Sequence, residues 1–196
     1  MAEGKRRLWL ILGVAGTGKS HYAHRIVAET SRLVLYDTTG HEGFCGRYVR
    51  IEDRDSLREY LRLNCWKRFR IAYKANVNDP DELSWLCDLC YAMGYVSLVI
   101  DELDLHCTPQ SLPAGLKRLA VQGRHRNVDF VGVAREPQAV PVSLRSQATD
   151  IVSFYYFDPR AMEWFKAAGC PEFERIRDLK GHDFLHWRGG ELVSEG

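Results

Sequence analysis

The 196-residue chain has no long hydrophobic run: no stretch approaches the ~20 apolar residues needed to cross a bilayer, and the N-terminal KRRLWLIL is too short for a signal peptide. A membrane segment and a secretory leader are not expected, and the chain reads as intracellular. Net charge is nearly absent as well, +1 from 27 Lys/Arg against 26 Asp/Glu. Nucleic acid is therefore not announced by global basicity, and any such contact must come from a local patch. There is no internal repeat, low-complexity tract or Pro/Gly-rich linker to mark a domain boundary, so one domain over residues 1–196 is the economical reading. Cysteine is too sparse for a disulfide scaffold: Cys45, Cys65, Cys87, Cys90, Cys107 and Cys170 read as free thiols. Cys87 and Cys90 form a C-x-x-C that could hold zinc together with His106 and Cys107. The helical spacing of DELSWLCDLCYAMG favours a buried stripe instead.

What is present begins with GVAGTGKS, Gly13–Ser20, a G-x-x-x-x-G-K-S match. Successive backbone N–H groups must turn inward around a β-phosphate, which Gly13, Gly16 and Gly18 permit and residues with a Cβ mostly obstruct. The nucleotide-binding candidates are Gly13, Val14, Ala15, Gly16, Thr17, Gly18, Lys19, Ser20 and the adjoining His21. In this motif Lys19 reaches the β- and γ-phosphates and the Ser20 hydroxyl ligates Mg²⁺. Its context fits: LWLILG is a short apolar run ending in Gly, as a buried parallel strand should be, and KSHYAHRIVAE has helical spacing.

Strand and helix patterns then alternate. RLVLYDTTG reads as a strand closed by a turn, RYVRI as a short strand, and DRDSLREYLRLNC as a helix capped by Asp53 or Asp55. RFRIAYKA follows as a strand, and DPDELSWLCDLCYAMG as a helix with Pro80 near its first turn and Gly94 past its end. Further on, YVSLVID, VDFVGVA and DIVSFYYF read as strands, and PAGLKRLAVQG, AVPVSLRSQ and PRAMEWFKAAG as helices. This order predicts an α/β fold with a mostly parallel central sheet covered by helices on both faces. HDFLHWRGGELVSE predicts a C-terminal β-hairpin, about 180–196, turning at Gly189-Gly190.

VSLVIDEL is an apolar strand ending in Asp101-Glu102, the Walker B form. Asp101 is placed to hold the Mg²⁺ of Ser20, and Glu102 to orient and polarise an attacking water, which favours hydrolysis over phosphoryl transfer to a metabolite.

Together with these motifs, the segment from VIDELDL through LKRLAVQGRHRNVDFVGVAREPQAVPVSLRSQATDIVSFYYFDPRAMEWFKAAG resembles the FtsK/HerA superfamily, most closely the genome-packaging ATPases of viruses and phages. The resemblance rests on GRHR before a strand, a Pro at that strand's end, LRSQATDIV, and an aromatic stretch followed by Asp-Pro, and it covers most of residues 8–168. It implies a three-layer RecA/FtsK-like P-loop NTPase that hydrolyses ATP with Mg²⁺ and moves double-stranded DNA, the viral genome, into a procapsid. A homo-oligomeric ring of five or six subunits, a capsid or portal vertex as a further partner, and a place in the host cytoplasm or at the packaging vertex follow from the same resemblance. The family's arginine reaching into a neighbour's site maps to Arg124, with Arg126 as the alternative. The family usually carries a TQRP-like element here; in this chain it is AREP, so Arg135 stands at the sensor glutamine's position. Two other readings are a P-loop small-molecule kinase and a nucleotide-dependent phage assembly or export ATPase.

For the DNA contact, residues 47–74 hold nine Lys/Arg against four acids. Arg54, Arg58 and Arg62 recur at four-residue intervals as a helical ridge, with Lys67 and Arg68 beyond it. Such a ridge binds phosphate backbones without reading sequence, or is a solvated face balanced by Asp55 and Glu59.

Overall fold

The computed structural model describes residues 6–38, 48–74, 76 and 78–196. Cys45, Arg47 and the turn expected at Thr39-Gly40 lie outside the described residues. The parallel strands are β1 (Leu8–Leu12), β2 (Arg32–Asp37), β3 (Val49–Ile51), β4 (Phe69–Lys74), β5 (Val96–Ile100), β6 (Val128–Ala134) and β7 (Asp150–Ser153). The hairpin strands β8 (Leu185–Arg188) and β9 (Glu191–Glu195) join them antiparallel, giving one nine-stranded sheet in the order β3-β4-β2-β5-β6-β1-β7-β8-β9. The helices are α1 (Lys19–Ile26), α2 (Arg54–Asn64), α3 (Glu82–Met93), α4 (Ala114–Gln122), α5 (Val142–Arg145) and α6 (Pro159–Ala167).

The central strands read as continuous apolar runs because both of their faces are buried. Alternate residues of β1 feed separate cores. Leu8, Leu10 and Leu12 pack with side chains from α2 to α6, whereas Trp9 and Ile11 pack with Tyr22, Ala23 and Val27 of α1. Among the described residues the molecule is thus three layers, α1 on one side of the sheet and α2 to α6 on the other. Asp53 caps α2 by accepting from Ser56 N at 2.8 Å, and Asp158 caps α6 by accepting from Arg160 N at 2.8 Å. The Asp-Pro dipeptide after the aromatic stretch is therefore a helix start.

The strand expected over DIVSFYYF is shorter than its pattern. It ends at Ser153, and the chain then turns beside the phosphate-loop candidate, where Tyr155 O accepts from Val14 N at 3.4 Å. Tyr156 leaves the sheet to bury its ring and donate its hydroxyl to Arg135 O at 2.8 Å. The hairpin turns where expected, with Gly189 and Gly190 at φ +59° and +87°, a pair of left-handed positions that favours glycine. It extends the sheet edge through β8.

Candidate functional site

The sheet order decides which loops meet. β6 lies between β1 and β5, so the carboxyl ends of β1, β6 and β5 bring Gly13–Ser20, Arg135 and Asp101-Glu102 side by side. Ala15, Gly16, Gly18, Lys19, Ser20 and His21 line one cleft of about 490 Å³ with Asp101, Glu102 and Arg135. Open α/β sheets bind ligands at this edge.

The glycine loop leads directly into α1. Gly16 and Gly18 sit at φ +80° and +97°, the left-handed region that a side chain disfavours. Thr17 Oγ1 donates to Val14 O at 2.8 Å, and the Lys19 ammonium donates to the same carbonyl at 2.7 Å. Lys19 is only 7% exposed. Burial, with Arg135 as a repelling neighbour, pushes its pKa down to about 8 against the attraction of Asp101, Asp104 and Glu102. A phosphate placed in the cleft would supply the missing negative charge.

Ser20 Oγ stands 3.4 Å from Asp101 Oδ2. Asp101 is buried, and that burial raises its carboxyl pKa above the ordinary value, opposed by a hydrogen bond from Glu102 N. A hydroxyl and a buried carboxylate, both hard oxygen donors facing a phosphate-sized cleft, fit Mg²⁺, which is held through one or two protein oxygens and the substrate phosphates. Neither the thiols nor His106 compete for that role. Cys87 and Cys90 are fully buried in the core, and burial pushes the thiols of Cys90 and Cys107 up to about 12, so they stay protonated. Among the described residues there is no group of three or more His, Cys, Asp or Glu side chains able to hold a metal.

Glu102 carries a left-handed backbone, φ +55°, rare for a residue with a Cβ. Its carboxylate is gripped from two sides. Thr38 Oγ1 lies 3.5 Å from Oε2, and the Arg135 guanidinium forms an ion pair with Oε1. Arg135 is itself fixed at its backbone: Asp104 accepts from Arg135 N and Glu136 N, each at 3.2 Å, while Tyr156 holds its carbonyl.

Arg124 and Arg126 are elsewhere. They lie in a 3₁₀ turn, Gly123–Arg126, at the start of β6, and the seven residues of that strand separate them from the cleft by about 20 Å. Neither reaches the cleft of its own chain. Arg126 is occupied, donating to Tyr91 O at 3.2 Å and Ala92 O at 2.6 Å at the end of α3. Arg124 is exposed and pairs only loosely, with His125 Nε2 at 3.4 Å.

The arginine ridge of α2 narrows. Arg54 is paired, 2.7 Å from Asp79 and 2.5 Å from Glu82, and is half-buried. Arg58 pairs with Asp55 and Arg62 with Glu59, so this face is largely self-neutralised. Lys67 and Arg68 remain, next to Trp66, which is 94% exposed. Four contributors escaped the sequence reading: Thr38, Asp104, Tyr156 and His182. His182 Nδ1 lies 3.1 Å from Thr17 O although 165 residues separate them.

No family model matches the chain, and no curated protein matches it. Solved structures do. The genome packaging NTPase B204 of Sulfolobus turreted icosahedral virus 2, in complex with sulfate, superposes with a TM-score of 0.78 at 17% identity, covering 98% of this chain and 96% of its own. B204 has also been solved with ATP-gammaS and AMPPCP. The pCW3 conjugation coupling protein TcpA, in its monomer form with ATPgS, gives a TM-score of 0.64 at 15% identity, covering 98% of this chain and 60% of its own. The N-terminal domain of zonular occludens toxin from Neisseria meningitidis gives 0.56 at 11% identity, over 98% and 87% of the two chains. The chain has the fold of the P-loop NTPases of RecA/FtsK type, in the form taken by the viral packaging NTPase B204.

Proposed function

We propose that this chain is a Mg²⁺-dependent ATPase that moves double-stranded DNA, filling a viral procapsid as one subunit of a homo-oligomeric ring. The observation that carries the reading is the meeting of Lys19, Ser20, Asp101 and Glu102 in one cleft, on a chain matched along 98% of its length by a genome packaging NTPase. The single-domain reading, the five- or six-membered ring, a portal or capsid partner and a place at the packaging vertex or in the host cytoplasm belong to the same proposal.

In this reading the glycine loop cradles the β-phosphate and Lys19 neutralises the β- and γ-oxygens. Magnesium held between Ser20 and Asp101 would supply the remaining positive charge at those oxygens. Glu102 accepts a hydrogen bond from the attacking water and aligns it with the γ-phosphorus. Arg135, paired with Glu102 in the free cleft, turns to the γ-phosphoryl when nucleotide enters, releasing the carboxylate for its water. Charge developing on the transferring group still needs a cation from outside, and Arg124 of a neighbouring subunit supplies it.

Double-stranded DNA meets the basic surface left after internal pairing, Lys67 and Arg68 beside Trp66, with the partly neutralised Arg58 and Arg62 at its margin. These are phosphate contacts and carry no sequence preference. The test is ATP turnover measured with double-stranded DNA, single-stranded DNA and no DNA. The proposal expects duplex to stimulate turnover most. Turnover that ignores all three, or phosphoryl transfer to a small acceptor in place of water, would remove DNA from the account.

A further inference from the structure

The Lys180–Asp183 turn, carrying His182, stands against the glycine loop on the side away from the Walker B carboxylates, and no phosphate chemistry accounts for it. Asp183 N donates to Lys180 O at 2.9 Å, Lys180 N donates to Asp183 Oδ2 at 3.2 Å, and Gly181 takes φ +56°, so the turn is closed on itself. It is also anchored. The next residue, Phe184, packs edge-on to Tyr22 of α1 with ring centroids 4.9 Å apart, and its N–H donates to Gly196 O at 2.7 Å. This places the imidazole so close to Gly18 that a Cβ there would meet His182 Nδ1 at 2.9 Å. Because Thr17 O can only accept, Nδ1 carries the proton in this contact and Nε2 is left as the ring's other polar atom. The ring lines the same cleft as Lys19 and Asp101 and is otherwise exposed.

The direction of the bound nucleotide follows from the sheet order. Asp101, Glu102 and Arg135 stand at the ends of β5 and β6, on one side of β1, and they define the γ-phosphate end of the cleft. β7 and β8 lie on the other side of β1, and His182 enters just ahead of β8. A triphosphate with its γ-end over Glu102 and its β-phosphate in the glycine loop must lead its nucleoside toward His182.

We propose that the Lys180–Asp183 turn is the nucleoside wall of the cleft and that the His182 imidazole contacts the ribose or base of the bound nucleotide. The inference rests on the nucleotide-binding reading above and adds the recognition of the nucleoside to it. It also gives the C-terminal segment a part in binding, beyond lengthening the sheet.

The test separates the ring from its tether to the loop. His182→Asn keeps an amide donor where Nδ1 stands, preserving the bond to Thr17 O, and removes the Nε2 edge. Dissociation constants are measured calorimetrically for ATP and for inorganic tripolyphosphate, each with Mg²⁺, on the wild-type chain and on His182→Asn and His182→Gln. The expected result is a roughly five- to tenfold weaker ATP affinity in His182→Asn, with tripolyphosphate affinity within twofold of wild type. His182→Gln, whose amide overlies Nε2, should recover part of the ATP affinity. Retained tripolyphosphate binding also shows that the variant's loop is folded. Equal ATP affinity in wild type and His182→Asn would overturn the proposal, and so would an equal loss for both ligands, which would make His182 a prop for the glycine loop. A wild-type chain that binds neither ligand removes the nucleotide reading itself, and this inference with it.

Discussion

Arg135 and Glu102 form an ion pair across the mouth of the cleft, joining the end of β6 to the left-handed residue that follows β5. The pair arises because β6 is threaded between β1 and β5, so Arg135, the residue that follows its last, stands between the glycine loop and the Glu102 carboxylate. Arg135→Ala should therefore lower kcat by roughly 10²-fold while leaving the ATP dissociation constant within a few-fold. Arg135→Gln, which puts an uncharged amide at the position, should keep part of the rate that Arg135→Ala loses. Steady-state kinetics beside equilibrium binding distinguishes the two parameters, and a loss confined to binding would assign Arg135 to ground-state nucleotide contact alone.

Glu102→Gln should keep ATP affinity and lose turnover by 10²-fold or more, the ordinary contribution of a water-activating base. Lys19→Ala should lose both, with ATP binding weakened roughly 10²-fold. Near-normal turnover in Glu102→Gln would exclude that carboxylate from the chemical step.

Lys19 also predicts a pH dependence. Its pKa is about 8 in the free protein, lowered by burial, and phosphate binding favours the charged form. Binding thus draws on the protonated lysine: ATP affinity should be flat below pH 8 and fall as pH rises through it, approaching tenfold per unit. Titrations between pH 6.5 and 9.5 read this directly, and an affinity unchanged at pH 9.5 would mean that Lys19 remains charged without nucleotide.

Arg54→Ala should act on stability and not on DNA. Its guanidinium sits 2.5 Å from the Glu82 carboxylate, which is 3% exposed and also accepts from the Tyr73 hydroxyl. Removing the cation leaves a buried carboxylate short of its partner, at a cost of about 2 to 4 kcal/mol. Thermal unfolding should register a drop of roughly 5 to 10 °C. Arg68→Ala should do the opposite, leaving the melting temperature in place and reducing the salt dependence of DNA binding by about one contact. An Arg54→Ala chain with native stability and weakened DNA binding would return Arg54 to the surface ridge.

What could be read in the sequence was what is contiguous there. The glycine loop and Asp101-Glu102 are short runs whose residue types are dictated by phosphate geometry, and the strand and helix periods around them gave the layers. Gly189-Gly190 was legible for a similar reason, since a two-residue hairpin turn needs positive φ twice. The arginine ridge misled because a helical period places Arg54 on a face without saying that Asp79 and Glu82 lie within its reach. Thr38, Asp104 and His182 are single polar residues outside the strands and α-helices, with no period to reveal them, and their contacts exist only once the sheet order has brought distant strand ends together. Asp104 carried the faintest signal, as the third acid of the IDELD run.

Arg124 lies at the opposite end of β6 from its own cleft, so the catalytic role proposed for it requires a neighbouring chain. Arg124→Ala should bind ATP normally and be nearly inactive, since an arginine finger contributes on the order of 10³ to 10⁵ in turnover. Mixed with Lys19→Ala subunits under exchange, it should regain activity, because an intact glycine loop from one chain can meet an intact arginine from the other. Mixed oligomers that stay as inactive as either variant would exclude Arg124 and bring Arg126 forward.

The central claim is that ATP hydrolysis in this cleft moves the protein along duplex DNA, and displacement of a fluorescent third strand from a triplex tests it most directly. With ATP and Mg²⁺, the wild-type chain should release the third strand after a lag that lengthens with the duplex separating the loading end from the triplex. Glu102→Gln, which binds ATP without turning it over, should release none. Release by Glu102→Gln at the wild-type rate, or an intact triplex under a wild-type chain that is hydrolysing ATP, would contradict the claim that this is a double-stranded DNA motor.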